Sequence, residues 1–175
     1  LVLTQTADDW KRLAANDVVT ADAAVTCGPS FRAVLKSDLG FELTLIGPAR
    51  AAIGPGPRGP ELTLEHGRLL IGGRSATQPL TVHAAETTID LSLADAGSLA
   101  AVSLDVSREP GVDPLGVGAS QTRLDVISVQ GSVGVTLSAA DSAAETGPLF
   151  ADPVAASEDE TVRVQTGERW SWDRQ

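Results

Sequence analysis

Hydrophobic and polar residues alternate along most of the chain. Phe41, Leu43 and Leu45 alternate with polar residues in FELTLIG, and the same period of two recurs in ELTLEHG, PLTVHA, TTIDLSL, LAAVSLDV, RLDVISV, GSVGVTL and TVRVQTG. These runs are short, mostly rich in Val, Thr, Ile and Leu, and separated by turn-forming residues. Because residues two apart share one face of a strand, the pattern predicts an all-β domain of many short antiparallel strands. We expect a curled sandwich or roll, similar to a jelly roll or a short solenoid.

Three of the strand-like runs contain a glycine in their interior. Gly67 lies in TLEHGRLLIGG, Gly131 in ISVQGSVGVTL and Gly167 in VRVQTGERWSW. A glycine inside a strand usually marks a bulge, a sharp bend or a close approach of backbones. The sequence therefore predicts that the strands bend at these glycines and pass from one sheet to the other, which also reduces the number of exposed edges.

One segment has a pattern typical of a short helix. In TADDWKRLAAND (6–17), Thr6 and Asp9 resemble a capping box, and Trp10, Leu13 and Ala14 would share one helical face. A helix of this length is only marginally stable without tertiary contacts. We therefore expect at most one short helix in the domain.

Three segments are predicted to be loops. GPGPRGP (54–60) contains prolines that remove backbone donors, which argues against a helix or a central strand. SREPGVDPLGVGASQ (107–121) is predicted to be a long connection. The Ala-, Ser- and acid-rich segment 138–160 lacks any periodicity and is interpreted as a mobile insertion. The whole chain, 1–175, is predicted to form a single domain.

Composition and charge exclude several classes of partner. Thirteen basic and 23 acidic residues give the chain a formal net charge of −10, which repels phosphate backbones and anionic membrane surfaces. Nucleic-acid binding is therefore not expected. The sequence contains neither an apolar run of the ~20 residues needed to span a bilayer nor a signal peptide. Because it begins at Leu1 and contains no methionine, we expect it to be part of a longer protein whose membrane anchor lies outside this chain.

Few residues are candidates for chemistry. The only histidines, His66 and His83, follow no nucleophile or metal motif. The single cysteine, Cys27, cannot form an intramolecular disulfide and is expected to be a small buried side chain. The SEDE segment (157–160) lacks the spacing of an EF-hand loop, and a pair of catalytic carboxylates stays open because acidic residues are plentiful. The sequence predicts no catalytic residue, no metal and no cofactor.

Trp170 and Trp172 are the residues singled out for possible contact with a ligand or partner. They are two apart and share a face if the segment is a strand. Exposed, they would form a flat stacking platform for a sugar or for an apolar residue of a partner. Buried, they would close one end of the core, which is the commoner use of large aromatic residues.

The segment from DDWKRLAANDVV to LTLIGPARAAI resembles the opening of the FecR-type domain of bacterial regulators, with LTLEHGRLLI, LDVISVQGSVGVTL and VRVQTGERWSW similar to its later units. The resemblance covers about residues 9–137 and 161–169. The positions that match the opening are Trp10, Leu13, Val18, Gly28, Ser30, Ala33, Leu35, Gly40, Leu43 and Leu45.

This resemblance implies a non-catalytic, periplasmic or extracellular β-domain of a membrane-anchored protein. Its partner would be another protein of the cell envelope, and its role would be to pass an envelope signal towards a sigma-factor regulator. Two other interpretations stay open at this point. One is a carbohydrate- or ligand-binding β-module that uses Trp170 and Trp172, and the other is an enzyme built on a β-scaffold.

Overall fold

The computed structural model describes residues 1–5, 9–38, 40–73, 79–108, 120–138 and 161–174. These residues form 13 strands and no helix, which confirms the predicted all-β class. The strands are β1 Val2–Gln5, β2 Trp10–Arg12, β3 Val25–Cys27, β4 Arg32–Lys36, β5 Phe41–Gly56, β6 Gly59–Gly73, β7 Leu80–Ala84, β8 Thr87–Leu93, β9 Leu99–Arg108, β10 Ser120–Gln130, β11 Ser132–Leu137, β12 Thr161–Gln165 and β13 Arg169–Arg174.

All the strands belong to one continuous, mostly antiparallel sheet that curls into two halves without closing into a barrel. The first half runs in the order β12-β11-β8-β7-β6-β5-β3-β1-β2. The second half contains β4, the beginning of β5, the end of β6, β9, β10 and β13. The long hairpin of β5 and β6 joins the halves. Within the described residues, the one parallel pair is β6 with β7.

The predicted bends lie where the chain changes from one half of the sheet to the other. Up to Leu64, β6 pairs with β7, and from Gly67 onwards it pairs with β9. Gly131 separates β10, in the second half, from β11, in the first. Gly167 separates β12 from β13 in the same way. The interpretation of these three glycines as architectural bends is confirmed.

Gly67 is the bend at which glycine is needed most clearly. Three residues of β5 (47–49) lie opposite it, because Ile46 pairs with Arg68 and Arg50 pairs with His66. Its φ is +95°, in the region that favours glycine, and a Cβ there would clash with Pro48 O and lie 2.6 Å from Ala49 Cα. The bulge in β5 and the glycine in β6 thus bend both strands of the hairpin at the same level.

The core lies between the two halves and is built by the alternating positions that the sequence identified. Phe41, Leu43 and Leu45 of β5 are all buried, while Glu42 and Thr44 between them are partly exposed. The same alternation holds on β8, where Ile89, Leu91 and Leu93 are buried. Side chains from both halves of the sheet belong to one hydrophobic cluster. The domain therefore has the single core expected of a curled sandwich.

The segment 6–17, whose pattern is typical of a short helix, forms no helix where the structure describes it, in keeping with the expectation of at most one short helix. Trp10–Arg12 form β2, which pairs with β1 through Leu3↔Arg12, Thr4↔Lys11 and Gln5↔Trp10. Residues 15 and 16 form a turn, and Asn16 has a positive φ of 67°. Pairing with an existing strand satisfies these backbone groups without the unfavourable nucleation that a short helix requires.

The predicted loop at 54–60 is wrong, because β5 and β6 continue almost to the tip of their hairpin. Gly54, Pro55 and Gly56 pair with Glu61, Pro60 and Gly59, so that the turn is confined to residues 57 and 58. Pro55 and Pro60 lie opposite each other, in a position where neither has to donate a ladder hydrogen bond.

The other predicted loops lie mainly outside the described residues. Residues 107, 108, 120 and 121 at the ends of the segment 107–121 belong to strands β9 and β10, and 109–119 are outside the description. The predicted mobile insertion, 138–160, is described at Ser138 alone, which is buried. The strands on either side of it, β11 and β12, pair with each other through Thr136↔Thr161.

Cys27 is buried, as predicted, with 1% of its surface exposed. Burial raises the pKa of the thiol above its ordinary value of 9.0, although a backbone hydrogen bond from Gly47 opposes the shift. A raised pKa in the folded state favours the neutral thiol, so its contribution to stability is present below pH 9.0 and is lost as the pH rises through the folded-state pKa.

We therefore expect Cys27 to react with a thiol reagent far more slowly in the native protein than in the urea-unfolded chain. The reason is that both access and the thiolate fraction are reduced by burial. Labelling at about pH 8, followed by mass spectrometry, measures the ratio of the labelling rates of the native and the unfolded chain. Free cysteine serves as the reference thiol. Similar rates for the native and the unfolded chain would contradict the expectation.

Candidate functional site

A cavity of about 300 Å³ opens on the outer face of the first half of the sheet, near its β2 edge. It is lined by Leu3, Trp10, Thr26, Arg50 and His66. Leu3 lies opposite Thr26 on β3, and Thr26 lies opposite Arg50 on β5, so that these three residues form one row across neighbouring strands. Thr26 and Arg50 occupy the outer face because their neighbours in the chain, Val25 and Ala51, are buried in the core, and successive residues of a strand point to opposite faces.

The hairpin bulge brings Arg50 together with two residues of β6. Arg50 pairs with His66, whereas the next residue, Ala51, pairs with Leu64, which leaves Glu65 as an extra residue in β6. Bulges re-aim side chains in this way. Arg50 Nε lies 3.0 Å from Glu65 Oε1, and His66 lines the cavity. This second register shift, next to the bend at Gly67, thus helps to form one wall of the cavity.

The guanidinium of Arg50 joins the two sides of the cavity. It lies 5.0 Å from the centroid of the Trp10 ring, within the range of a cation–π interaction. Its Nη2 donates a 2.6 Å hydrogen bond to Gln5 Oε1 on β1. The side chain is about one-quarter exposed. Arg50 thus fixes the indole of the edge strand against the body of the domain.

Two buried polar atoms beside the cavity have no hydrogen-bond partner in the protein. Thr26 Oγ1 and Arg50 Nε are the only such side-chain atoms in the described part of the chain. The contact of Arg50 Nε with Glu65 is an ion pair whose geometry does not direct the N–H at the carboxylate. Because buried polar groups are nearly always hydrogen-bonded, such exceptions call for an explanation.

Trp10 belongs to the outermost strand of this half of the sheet. Among the described strands β2 pairs with β1 alone, and 40% of the Trp10 surface is exposed. The Trp10 backbone N–H donates a 2.7 Å hydrogen bond to Asp9 Oδ1. Lys11 and Arg12 follow on the same strand, both exposed. This open edge therefore combines a large aromatic side chain with basic residues, in a chain whose net charge is −10.

Trp170 and Trp172, the residues singled out from the sequence, lie at a different edge. They belong to β13, where they are opposite Val126 and Leu124 of β10, and both are half-buried against the core. As predicted, they share a face. Neither lines the cavity beside Trp10. Their contact with a ligand or partner stays a prediction.

A network of charged and hydroxyl groups ties β13 to β10 on the opposite face from the two tryptophans. Asp125, nearly buried, accepts hydrogen bonds from Ser171 Oγ at 2.6 Å and from Arg123 Nε at 3.1 Å. The hydrogen bond and the charge of Asp125, with a smaller effect from Asp173, raise the pKa of Arg123. Arg169 Nε lies 3.9 Å from Asp125 Oδ1. Because the charges balance and donors are paired, the network holds an edge strand in place.

His83 contacts two polar side chains that the sequence did not predict as its partners. Its Nδ1 lies 3.1 Å from Thr88 Oγ1, and its Nε2 lies 3.5 Å from Glu61 Oε2. A hydroxyl, an imidazole and a carboxylate in this order resemble a nucleophilic triad. However, the three groups lie on neighbouring paired strands, where backbone N–H groups are used by the ladder and cannot form an oxyanion hole.

The described residues contain no group of three or more His, Cys, Asp or Glu side chains placed to hold a metal ion. In the same part of the chain, no helix is long and apolar enough to cross a membrane.

Sequence reasoning missed the cavity because its residues are distant in the chain. Trp10 and Arg50 are separated by 40 positions, and Trp10 was assigned to a helical face. One signal was present: TADDWKR lacks the sustained 3.6-residue period of a helix, and it places a tryptophan next to charged residues. The partnership with Arg50 and Thr26 depends on strand order, which this signal does not contain.

Comparison with known protein families and with curated proteins gives no match for this chain.

Proposed function

We propose that this chain is a non-catalytic, extracytoplasmic interaction domain of FecR type in a membrane-anchored bacterial envelope protein. Its partner would be another envelope protein, and the contact would pass a signal towards a sigma-factor regulator. The observation that carries the proposal is the exposure of Trp10 on the open edge strand β2. Trp10 is also one of the residues on which the resemblance to the FecR-type domain rests.

An exposed tryptophan held in place at a sheet edge is well suited to protein recognition. Tryptophan and arginine are the residues most enriched among those that dominate binding energy. Arg50 holds the indole at a ring distance of 5.0 Å, which reduces the side-chain entropy lost on binding. A strand that pairs on one side alone among the described strands also offers backbone groups to an added strand. These features together favour a protein partner.

The surroundings of the histidines support a role without catalysis. His66 is exposed and lines the cavity, and the Thr88, His83 and Glu61 side chains lie on three neighbouring paired strands. The backbone N–H groups around Thr88, His83 and Glu61 are used by the strand pairing and are not free to stabilise a developing negative charge.

Photo-crosslinking tests the interaction directly. We expect p-benzoylphenylalanine at position 10 of the intact parent protein to give a discrete adduct with one envelope protein, because the side chain projects from the open edge. Position 162 is the matched control, since Val162 on β12 has a similar exposure of 39% but lies at the opposite edge of the same half. The absence of an adduct from position 10, or the same adduct from both positions, would contradict the proposal.

A carbohydrate- or ligand-binding module is the second candidate. The observation in its favour is that Trp170 and Trp172 share one face of the edge strand β13 and are only partly buried. Stacking on such residues is a common mode of ligand binding. Glycan binding that is lost in Trp170→Ala but kept in Trp10→Ala would favour this candidate over the first.

A further inference from the structure

The two buried polar atoms without partners, Thr26 Oγ1 and Arg50 Nε, belong to residues of neighbouring strands. Thr26 and Arg50 are directly opposite each other on β3 and β5, where opposed residues have Cβ atoms about 4.5–5.5 Å apart. Both line the same cavity, whose other walls are Leu3, Trp10 and His66. The Arg50 N–H can only donate, and the Thr26 hydroxyl can donate or accept. Because both atoms are buried, an oxygen acceptor would satisfy both if its entry displaced the side chains that cover them.

Charge on the surrounding groups favours an uncharged acceptor. Glu65 lies 3.0 Å from Arg50 Nε and already neutralises the guanidinium, so a carboxylate entering the cavity would be repelled at close range. The remaining ionisable groups nearby are His66 on β6, Arg12 on β2 and Asp9 before it. Arg12 and Asp9 are exposed and are screened by solvent. A neutral carbonyl oxygen accepts both hydrogen bonds without this repulsion.

The part of the ligand that contacts Leu3 and Trp10 must be apolar. Both present apolar surface to a cavity of about 300 Å³, which has room for an aliphatic side chain and an adjoining amide. The Arg50 guanidinium lies over the Trp10 ring, 5.0 Å from its centroid, and so reduces the indole surface on which a sugar ring could stack. The cavity also adjoins the open edge strand β2, which can be reached by an extended chain.

We propose that this cavity receives an uncharged peptide segment whose aliphatic side chain packs on Leu3 and Trp10. An amide carbonyl of the segment accepts hydrogen bonds from the Thr26 hydroxyl and the Arg50 Nε–H. This inference rests on the proposed function, because the segment belongs to the protein partner of the domain.

The test uses the isotope-labelled 175-residue chain, in which the Arg50 Nε–H and the Thr26 amide are followed by NMR. The probe is N-acetyl-leucine N-methylamide, compared with N-acetyl-leucine, which has the same body but a carboxylate, and with methyl glucoside. We expect the neutral amide to shift both resonances in a saturable manner. We expect the carboxylate to bind more weakly and the sugar to leave the resonances unchanged.

Thr26→Val is the decisive variant, because it removes one hydroxyl while keeping the shape of a β-branched side chain. We expect it to weaken binding of the neutral amide by about three- to tenfold, the effect of one neutral hydrogen bond. Thr63→Val is the matched control, since Thr63 is an exposed outer-face residue of β6 that does not line the cavity. It should leave the affinity unchanged.

Three outcomes would overturn the inference: no saturable shift with the neutral amide, tighter binding of the carboxylate or the sugar, or an equal loss in both threonine variants. None of them depends on the crosslinking result. If crosslinking at position 10 succeeds and the probe does not bind, the interaction stands and the proposed chemistry of the cavity fails. If the probe binds and crosslinking fails, the cavity stands and the protein-interaction role fails.

Discussion

Replacing Gly67 by alanine is expected to lower the free energy of unfolding by about 3–5 kcal/mol. Two effects add. The φ of +95° is unfavourable for any residue with a Cβ, and that Cβ would clash with the Pro48 carbonyl and with Ala49, 2.6 Å from its Cα. The clashing atoms belong to the β5 backbone at the bend of the central hairpin, so they cannot rotate away as a flexible side chain would. Urea denaturation followed by fluorescence measures the change.

Gly167→Ala is the matched control for this prediction. Gly167 has a similar φ of +84°, but a Cβ there would meet no atom within 4 Å. We expect a loss of about 1–2 kcal/mol from backbone strain alone. The difference between the two variants isolates the contribution of close packing at the hairpin bend. Equal losses would show that the bend is not tightly packed.

Replacing Phe41 by alanine is expected to cost about 3–5 kcal/mol, the usual range for a buried phenylalanine. Phe41 begins β5, is only 1% exposed and belongs to the single hydrophobic cluster. Removing its ring would leave a cavity in the core near the start of the hairpin, because neighbouring strands on both sides limit relaxation. Thermal and urea unfolding should both report the loss.

Phe31→Ala is the control, since the chemical change is identical and the burial is not. Phe31 precedes β4 and is 52% exposed. We expect a change within about 0.5 kcal/mol, as is common for surface substitutions. A large loss at Phe31, or a small one at Phe41, would show that the assignment of the core in this region is wrong.

The fold was predictable where a residue's environment depends on its nearest neighbours in the chain. Alternation placed Phe41, Leu43 and Leu45 on the buried face of a strand because the side-chain period of a strand is two wherever the strand lies. Gly67 was predictable as a bend for a similar reason, since a glycine in an apolar strand pattern usually has a backbone cause.

The errors lie where a partner strand decides the structure. TADDWKR carries weak helical signals, yet Trp10–Arg12 form a strand because β1 offers an edge with matching length. GPGPRGP has loop composition, yet it continues the hairpin because Pro55 and Pro60 happen to face each other. Local propensity is a weak preference that pairing and packing readily override.

The sequence by itself determined the all-β class, the faces of the strands, the positions of the bends and the burial of Cys27. Each of these follows from short-range periodicity or from the chemistry of one residue. Only the tertiary structure decided that Trp10, Thr26 and Arg50 form one cavity and that Trp170 and Trp172 lie at another edge. Strand order and the register shift that leaves Glu65 beside Arg50 set these contacts. Both depend on which distant segments pair, because sheet contacts are long-range and are fixed by the packing of the whole core.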